Sequence, residues 1–226
     1  METVNDVIKY AKYFSGKNES PPFYYEKIDC SHKLFVPIDN INCIVTNLSI
    51  PLKNIITHYF VADSKQNKLL VAMNRDKTIH EKVFATTSPD FSVDSVHCFS
   101  CFNISNILKA RIIAYAWQSE YGLPVILTLQ WGDETTYKFA FGNIEKQSIV
   151  ALSSQGITNI SIFKKGLCTA IDVIKPEAIC WYGNIPMSIS SYYDTYRIIK
   201  MQKRNEILSC TYKQASQPLF EFEGQD

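Results

Sequence analysis

The sequence predicts an α/β fold: a parallel-rich sheet of β/α units, a pattern that an incomplete or distorted (β/α) barrel would satisfy, with N- and C-terminal extensions. Three observations carry this. Residues 124–131 (PVILTLQW), 148–154 (SIVALSS) and 178–182 (AICWY) are short apolar runs, and the first is apolar on both faces, as a covered parallel strand is. Each ends in small or polar residues: Gly132-Asp133-Glu134, Gln155-Gly156 and Gly183-Asn184. Helical spacing fills intervals between and before them.

In chain order, Val4, Val7, Ile8, Ala11 and Phe14 predict an amphipathic helix ending near Gly16. Pro21-Pro22 closes a loop, and the aromatic cluster 23–25 suits packing on the domain, with ligand contact as the alternative. Residues 34–38 and 41–48 alternate as strands around an Asp39-Asn40 turn. Residues 54–62 fit strand and helix alike, 63–68 (DSKQNK) read as a polar surface turn, and 69–73 as a buried strand. A strand at 83–87 leads into Ser88-Pro89-Asp90-Phe91-Ser92. A helix follows over 105–121, capped by Asn103 or Ser105 and closed by Gly122 before Pro124. Residues 135–141 form a short helix or irregular turn. A second long helix starts at Thr158 or Asn159 and ends at Pro176. Residues 192–204 suit a helix or an edge strand, 207–212 alternate as a strand does, and 217–226 form an acidic tail. The expected organisation is one domain over 1–226, with an N-terminal elaboration at 1–65, a core at 83–186 and a tail at 216–226.

Composition narrows the function classes. Hydrophobic residues at 46% and charged residues at 20% support a full core. A net charge of +1 supplies no bulk attraction for nucleic acid or an anionic membrane, although it does not report local patches. Seven cysteines at irregular spacing, two of them (Cys168, Cys180) inside apolar runs, indicate free thiols in a reducing compartment. No segment reads as a signal peptide or a membrane span, so a cytoplasmic setting is expected. His97 and Cys98-x-x-Cys101 have a metal-like spacing without the further ligands that tetrahedral zinc needs. No glycine-rich phosphate loop occurs.

Ligands bind parallel sheets and (β/α) barrels at the C-terminal strand ends. Asp90, Asp133 and Glu134 are the catalytic candidates there, since two carboxylates at one substrate can divide acid and base roles or hold a divalent cation. No other cofactor is expected. Trp131 and Tyr182 offer stacking surfaces, and Ser153, Gln155 and Asn184 complete the ligand-binding set. The competing structural roles are helix capping by Asp133 and turn formation by Asp90. Lys200, Lys203 and Arg204 with Tyr192, Tyr193 and Tyr196 suit either single-stranded nucleic acid or a solvated surface.

SPDFS (88–92), AYAWQSEYG (114–122), VILTLQWGDE (125–134), F-x-F-G-x-I (139–144), SIVALSSQG (148–156) and WYGNIP (181–186) occur in that order. Together, over about 100 residues, they resemble the bacterial and phage domain-of-unknown-function family numbered 4417. The resemblance implies a phage or mobile-element source and a host cytoplasm. It brings no activity. The expected function is an enzyme acting on a nucleotide or nucleic acid at the strand ends. The alternatives are a phage protein that inhibits a host defence protein or sequesters its nucleotide signal, and a single-stranded nucleic-acid accessory factor. No membrane partner is expected.

Overall fold

The structure, a computed structural model, describes residues 20–23, 27–48, 50–67, 82–94, 99–192, 195–203 and 205–207. The expected N-terminal helix, Tyr24 and Tyr25, the 69–73 strand, His97 and Cys98, Tyr193, Arg204, most of the 207–212 segment and the tail lie outside the described residues.

The elements run β1 (Leu34–Pro37), α1 (Ile41–Leu48), β2 (Ile55–His58), β3 (Ala85–Thr87), α2 (Ser100–Tyr121), β4 (Val125–Thr128), α3 (Tyr137–Phe141), β5 (Ile149–Ser153), α4 (Ile160–Ile174), β6 (Ala178–Tyr182) and β7 (Arg197–Lys200). The seven strands form one sheet in the order β1-β2-β3-β4-β5-β6-β7. All six pairings are parallel. The predicted α/β class with a parallel sheet therefore stands, and the sheet curls into a half-barrel.

Two local expectations are overturned. Residues 41–48 are the helix α1, not the second strand of a hairpin. Ile41 and Ile44 are buried while Cys43 and Thr46 are exposed, so three-residue spacing decides over alternation. A parallel neighbour also requires a crossover that a tight turn cannot supply. Residues 63–67 are a helical turn, and its Gln66 is fully buried rather than at the surface. Other differences are of extent. Helix α2 starts at Ser100 with no side-chain cap, and Asn103 instead clasps the chain before it, its Nδ2 donating to the Asp94 carbonyl at 2.7 Å. Gly122 takes the expected left-handed position (φ 59°). Asn159 caps α4 by accepting from the Ser161 and Ile162 amides. Residues 197–200 form the edge strand β7.

Strand alternation sorts the core into two layers. Val125, Leu127, Val150, Leu152, Ile179 and Trp181 pack with residues of α2, α3 and α4. Phe35, Ile56, Ile126, Ala151, Cys180 and Tyr182 form a second cluster that contains no residue of the four helices. The helices thus cover one face, and the other closes on itself. The ring centroids of His58 on β2 and Tyr182 on β6 lie 4.8 Å apart. In a flat sheet four strand spacings would separate them by about 19 Å. Side chains span the seam between the two edges: Arg197 of β7 donates to Ser31 Oγ at 2.8 Å, and the Phe35 amide of β1 donates to Gln202 Oε1 at 3.3 Å.

Arg111 ties the helical layer together. It is 3% exposed, and its guanidinium donates to the carbonyls of Phe139 and Ala140 at 3.3 Å, Gly142 at 3.0 Å, and Pro21. The fork therefore closes the C-terminus of α3 and anchors the chain around Pro21 against α2. Replacing Arg111 with Met takes the guanidinium donors from the buried Ala140, Gly142 and Pro21 carbonyls, while the Phe139 carbonyl keeps the Ser20 hydroxyl at 3.1 Å. The expected cost is roughly 3 kcal/mol or more, a fall in melting temperature of about 6–12 °C, measurable by calorimetry.

Candidate functional site

Every β/α connection leaves the sheet at the same end, and two polar groups collect there. The first surrounds Asp90, three residues beyond β3. Buried Gln66 accepts from the Asp90 amide at 3.0 Å and donates to the Asp90 carbonyl, which fixes the backbone. Gln130, beyond β4, donates to Asp90 Oδ1 at 2.9 Å and to the Phe91 carbonyl at 2.7 Å. Among the described residues Asp90 Oδ2 takes no hydrogen bond. Part of the residue reaches solvent. Burial pushes the carboxyl up to about 7, and the nearby negative charge of Asp63 adds to the rise. Asp63 is itself held by the Ser92 amide, at 3.2 Å to both oxygens.

The second group surrounds His58, the last residue of β2. It is fully buried, its ring lies 4.8 Å from Tyr182 and 5.5 Å from Phe60, and those two rings stack at 5.1 Å and 6°. Among the described residues neither imidazole nitrogen has a hydrogen-bond partner, and burial drives its pKa down to about 3. Asp39 Oδ1 and Asn40 Nδ2, just beyond β1, are likewise buried without partners. An orphaned buried polar group costs about 1–3 kcal/mol, and folded proteins keep few of them.

The predicted site residues divide between the two faces. Asp90 lies in the first polar group, and Tyr182 on the inner face beside His58. Trp131 lies one position beyond Gln130 and turns to the helices, packing on Phe163 at 5.1 Å and on Phe141 at 5.6 Å. Its seat requires Gly166, where an added Cβ would lie 2.0 Å from the indole Nε1. Asp133 caps the 3-10 turn Glu134–Thr136, accepting from the Thr135 amide at 3.0 Å, the Thr135 hydroxyl at 2.5 Å and the Ser100 hydroxyl at 3.2 Å. Those bonds, the Thr135 hydroxyl first, hold its carboxyl below the usual range. Glu134 is exposed and pairs with Lys165. Ser153 Oγ accepts from the Gln155 amide at 3.0 Å, a local strand-end bond. Asn184 Oδ1 accepts from Lys203 at 2.7 Å. Asp90 and Asp133 are thus engaged on separate elements. The carboxylate that acts on Asp90 is Asp63, which the sequence hid inside a polar run. His58 was masked by the helix–strand ambiguity of residues 54–62; the one signal for it is a lone titratable group inside an apolar stretch.

Of the basic-aromatic segment, Arg197 is bonded to Ser31 and Lys203 to Asn184. Cys30, Cys43, Cys101, Cys168 and Cys180 are free thiols. Among the described residues no group of three or more His, Cys, Asp or Glu side chains is placed to hold a metal ion. No helix among them is long and apolar enough to cross a membrane.

Fold and site together define a parallel β/α half-barrel protein with its polar residues gathered at the C-terminal strand ends. The chain belongs to the family described as Domain of unknown function (DUF4417), whose model matches residues 44–202. It is 30% identical over 132 residues to the Gene 1 protein of Mycobacterium phage L5, covering 57% of each chain. It is 28% identical over 134 residues to the Gene 1 protein of Mycobacterium phage D29, covering 57% of this chain and 48% of that protein. The chain thus spans about half the length of these curated relatives. No solved structure matches it. These matches support the description of a phage-associated protein.

Two measurements test the site's electrostatics. Asp90 binds its proton more tightly folded (about 7) than unfolded (3.8), so its contribution is fully present below pH 3.8 and is lost as pH rises through 7. Asp90→Asn, which mimics the protonated form, should stabilise the protein relative to the parent by roughly 2–4 kcal/mol at pH 8, by about 1–2 kcal/mol at pH 5, and by little near pH 3.5; denaturant titrations across this range read this. Asp133→Ala should cost about 1 kcal/mol from the lost cap, a fall of about 2–4 °C in melting temperature.

Proposed function

We propose that this is a phage-associated enzyme of the bacterial cytosol that acts on a nucleotide or nucleic acid at the C-terminal ends of the strands, with Asp90 as its proton-transferring group. The observation that carries this reading is the Asp90 carboxyl itself. It is positioned through backbone and side chain by Gln66 and Gln130, has one oxygen that takes no hydrogen bond among the described residues, and is raised to about 7, where a group can both take and give a proton at neutral pH. Nothing in the fold requires such a group: a neutral amide would fill the same place without the cost of burying a carboxylate. A divalent cation, if the reaction uses one, would be held by Asp63 or Asp90 and would supply charge neutralisation for substrate phosphates.

A second reading, a non-catalytic binder of a host protein, draws on the large apolar side chains that α2 and the 3-10 turn after β6 leave in solvent: Phe99 at 77%, Phe102 at 60% and Met187 at 91% exposure. The two readings part in one assay. Purified protein with magnesium is incubated with nucleoside mono-, di- and triphosphates and with single-stranded DNA and RNA, and products are followed by chromatography and mass spectrometry. The enzyme reading expects turnover of at least one substrate, falling by a factor of about 100 or more in Asp90→Asn while the variant stays folded. Absence of any product, or turnover that survives the substitution, overturns it.

A further inference from the structure

The unpartnered group at the β1 and β2 ends has a donor and acceptor pattern of its own. Among the described residues, Asp39 Oδ1, Asn40 Nδ2 and both imidazole nitrogens of His58 are buried without partners. The β1–β2 register sets Pro37 opposite His58, so Asp39 and Asn40 follow directly beyond the pair. Four such atoms on three neighbouring residues are what remains when the group they bond is taken away. Asp39 Oδ2 is already occupied by Lys65 at 2.8 Å, and the Asp39 side chain keeps 15% of its surface in solvent. The group therefore lies one side chain beneath the surface.

The four atoms define what can satisfy them. Asn40 Nδ2 and one imidazole N–H are donors; Asp39 Oδ1 and the other imidazole nitrogen are acceptors. A phosphate would face the Asp39 carboxylate with no free cation in the set. A metal ion would satisfy Asp39 and one imidazole nitrogen and leave the Asn40 N–H unpaired. An uncharged group with alternating donors and acceptors satisfies all four. The stacked rings of Phe60 and Tyr182 beside His58 add a flat apolar wall, of the kind on which bases and sugars pack.

We infer that Asp39, Asn40 and His58 form a recognition subsite for the uncharged part of a nucleoside, its base or its ribose. This rests on the nucleotide reading above and gives the bound molecule a direction, with its neutral part at the ends of β1 and β2 and its reacting part toward Asp90 beyond β3.

Calorimetric titration of the full chain with adenosine, guanosine, cytidine and uridine tests it, with ribose and inorganic phosphate in separate arms. At least one nucleoside should bind, and His58→Phe and Asn40→Ala should each weaken it tenfold or more. His58→Phe, which removes two unpartnered nitrogens, should at the same time raise the melting temperature; if it does not fold, Asn40→Ala carries the comparison. Competition by ribose assigns the subsite to the sugar, and its absence to the base. No nucleoside binding, or binding unchanged in both variants, overturns the inference, as does phosphate binding that the two variants abolish. The outcomes separate from those of the assay above. Turnover that depends on Asp90 with nucleoside binding indifferent to His58 sinks the subsite alone. Nucleoside binding that depends on His58 without turnover sinks the catalytic reading alone.

Discussion

Seven parallel strands paired in sequence order impose one constraint on everything else in this protein. The crossovers run the same way, so the four helices α1 to α4 land on the same face of the sheet. Among the described residues the opposite face carries no helical layer, and it leaves water by curling until its side chains meet one another. That is why Tyr182 of β6 packs on His58 of β2, with rings 4.8 Å apart across three intervening strands. It is also why the inner cluster is built of strand residues and the segments that flank them, with Ala85, Ala151 and Ala178 keeping the interior narrow.

The same constraint places the polar residues. A chain that always leaves the sheet at one end collects its connection-starting residues there, and residues of unlike sequence position become neighbours. Gln66 precedes Asp90 by 24 positions and Gln130 follows it by 40, yet both bond it. Buried amides of this kind hold a carboxyl in place without supplying the positive charge that would keep it ionised. Burial raises the Asp90 carboxyl against the lowering effect of the Gln130 hydrogen bond, while Gln66 and Gln130 fix its place.

What could be read from the sequence follows the strength of each local signal. Strands β4, β5 and β6 announced themselves as apolar runs with Gly-bearing ends, and α2 and α4 through apolar periodicity with Gly122 and Asn159 at their boundaries. The helix α1 did not, because Ile, Val and Thr in eight residues satisfy either period. In the site, strand ends were legible but facing was not. Gln130 and Trp131 are consecutive, and the pleat sends one toward Asp90 and the other to the helices. When both faces of a strand are apolar, no alternation tells which parity is inside. Asp133 was placed at the correct end, and only its bonds to Thr135 and Ser100 assign it to the cap. Asp39, His58 and Asp63 were missed because their importance lies in contacts between segments.

The seam between β1 and β7 has a dynamic consequence. Elsewhere in the sheet a strand is held on both sides by a ladder; here Arg197 to Ser31 and Phe35 to Gln202 do the work of one. Side-chain bonds of this kind break singly, whereas a ladder opens cooperatively. Amide hydrogen exchange should therefore be fastest along β1 and β7 and slowest in β4 and β5. Since Asp39 and Asn40 stand at the end of β1, the margin of the sheet expected to exchange fastest adjoins the second polar group.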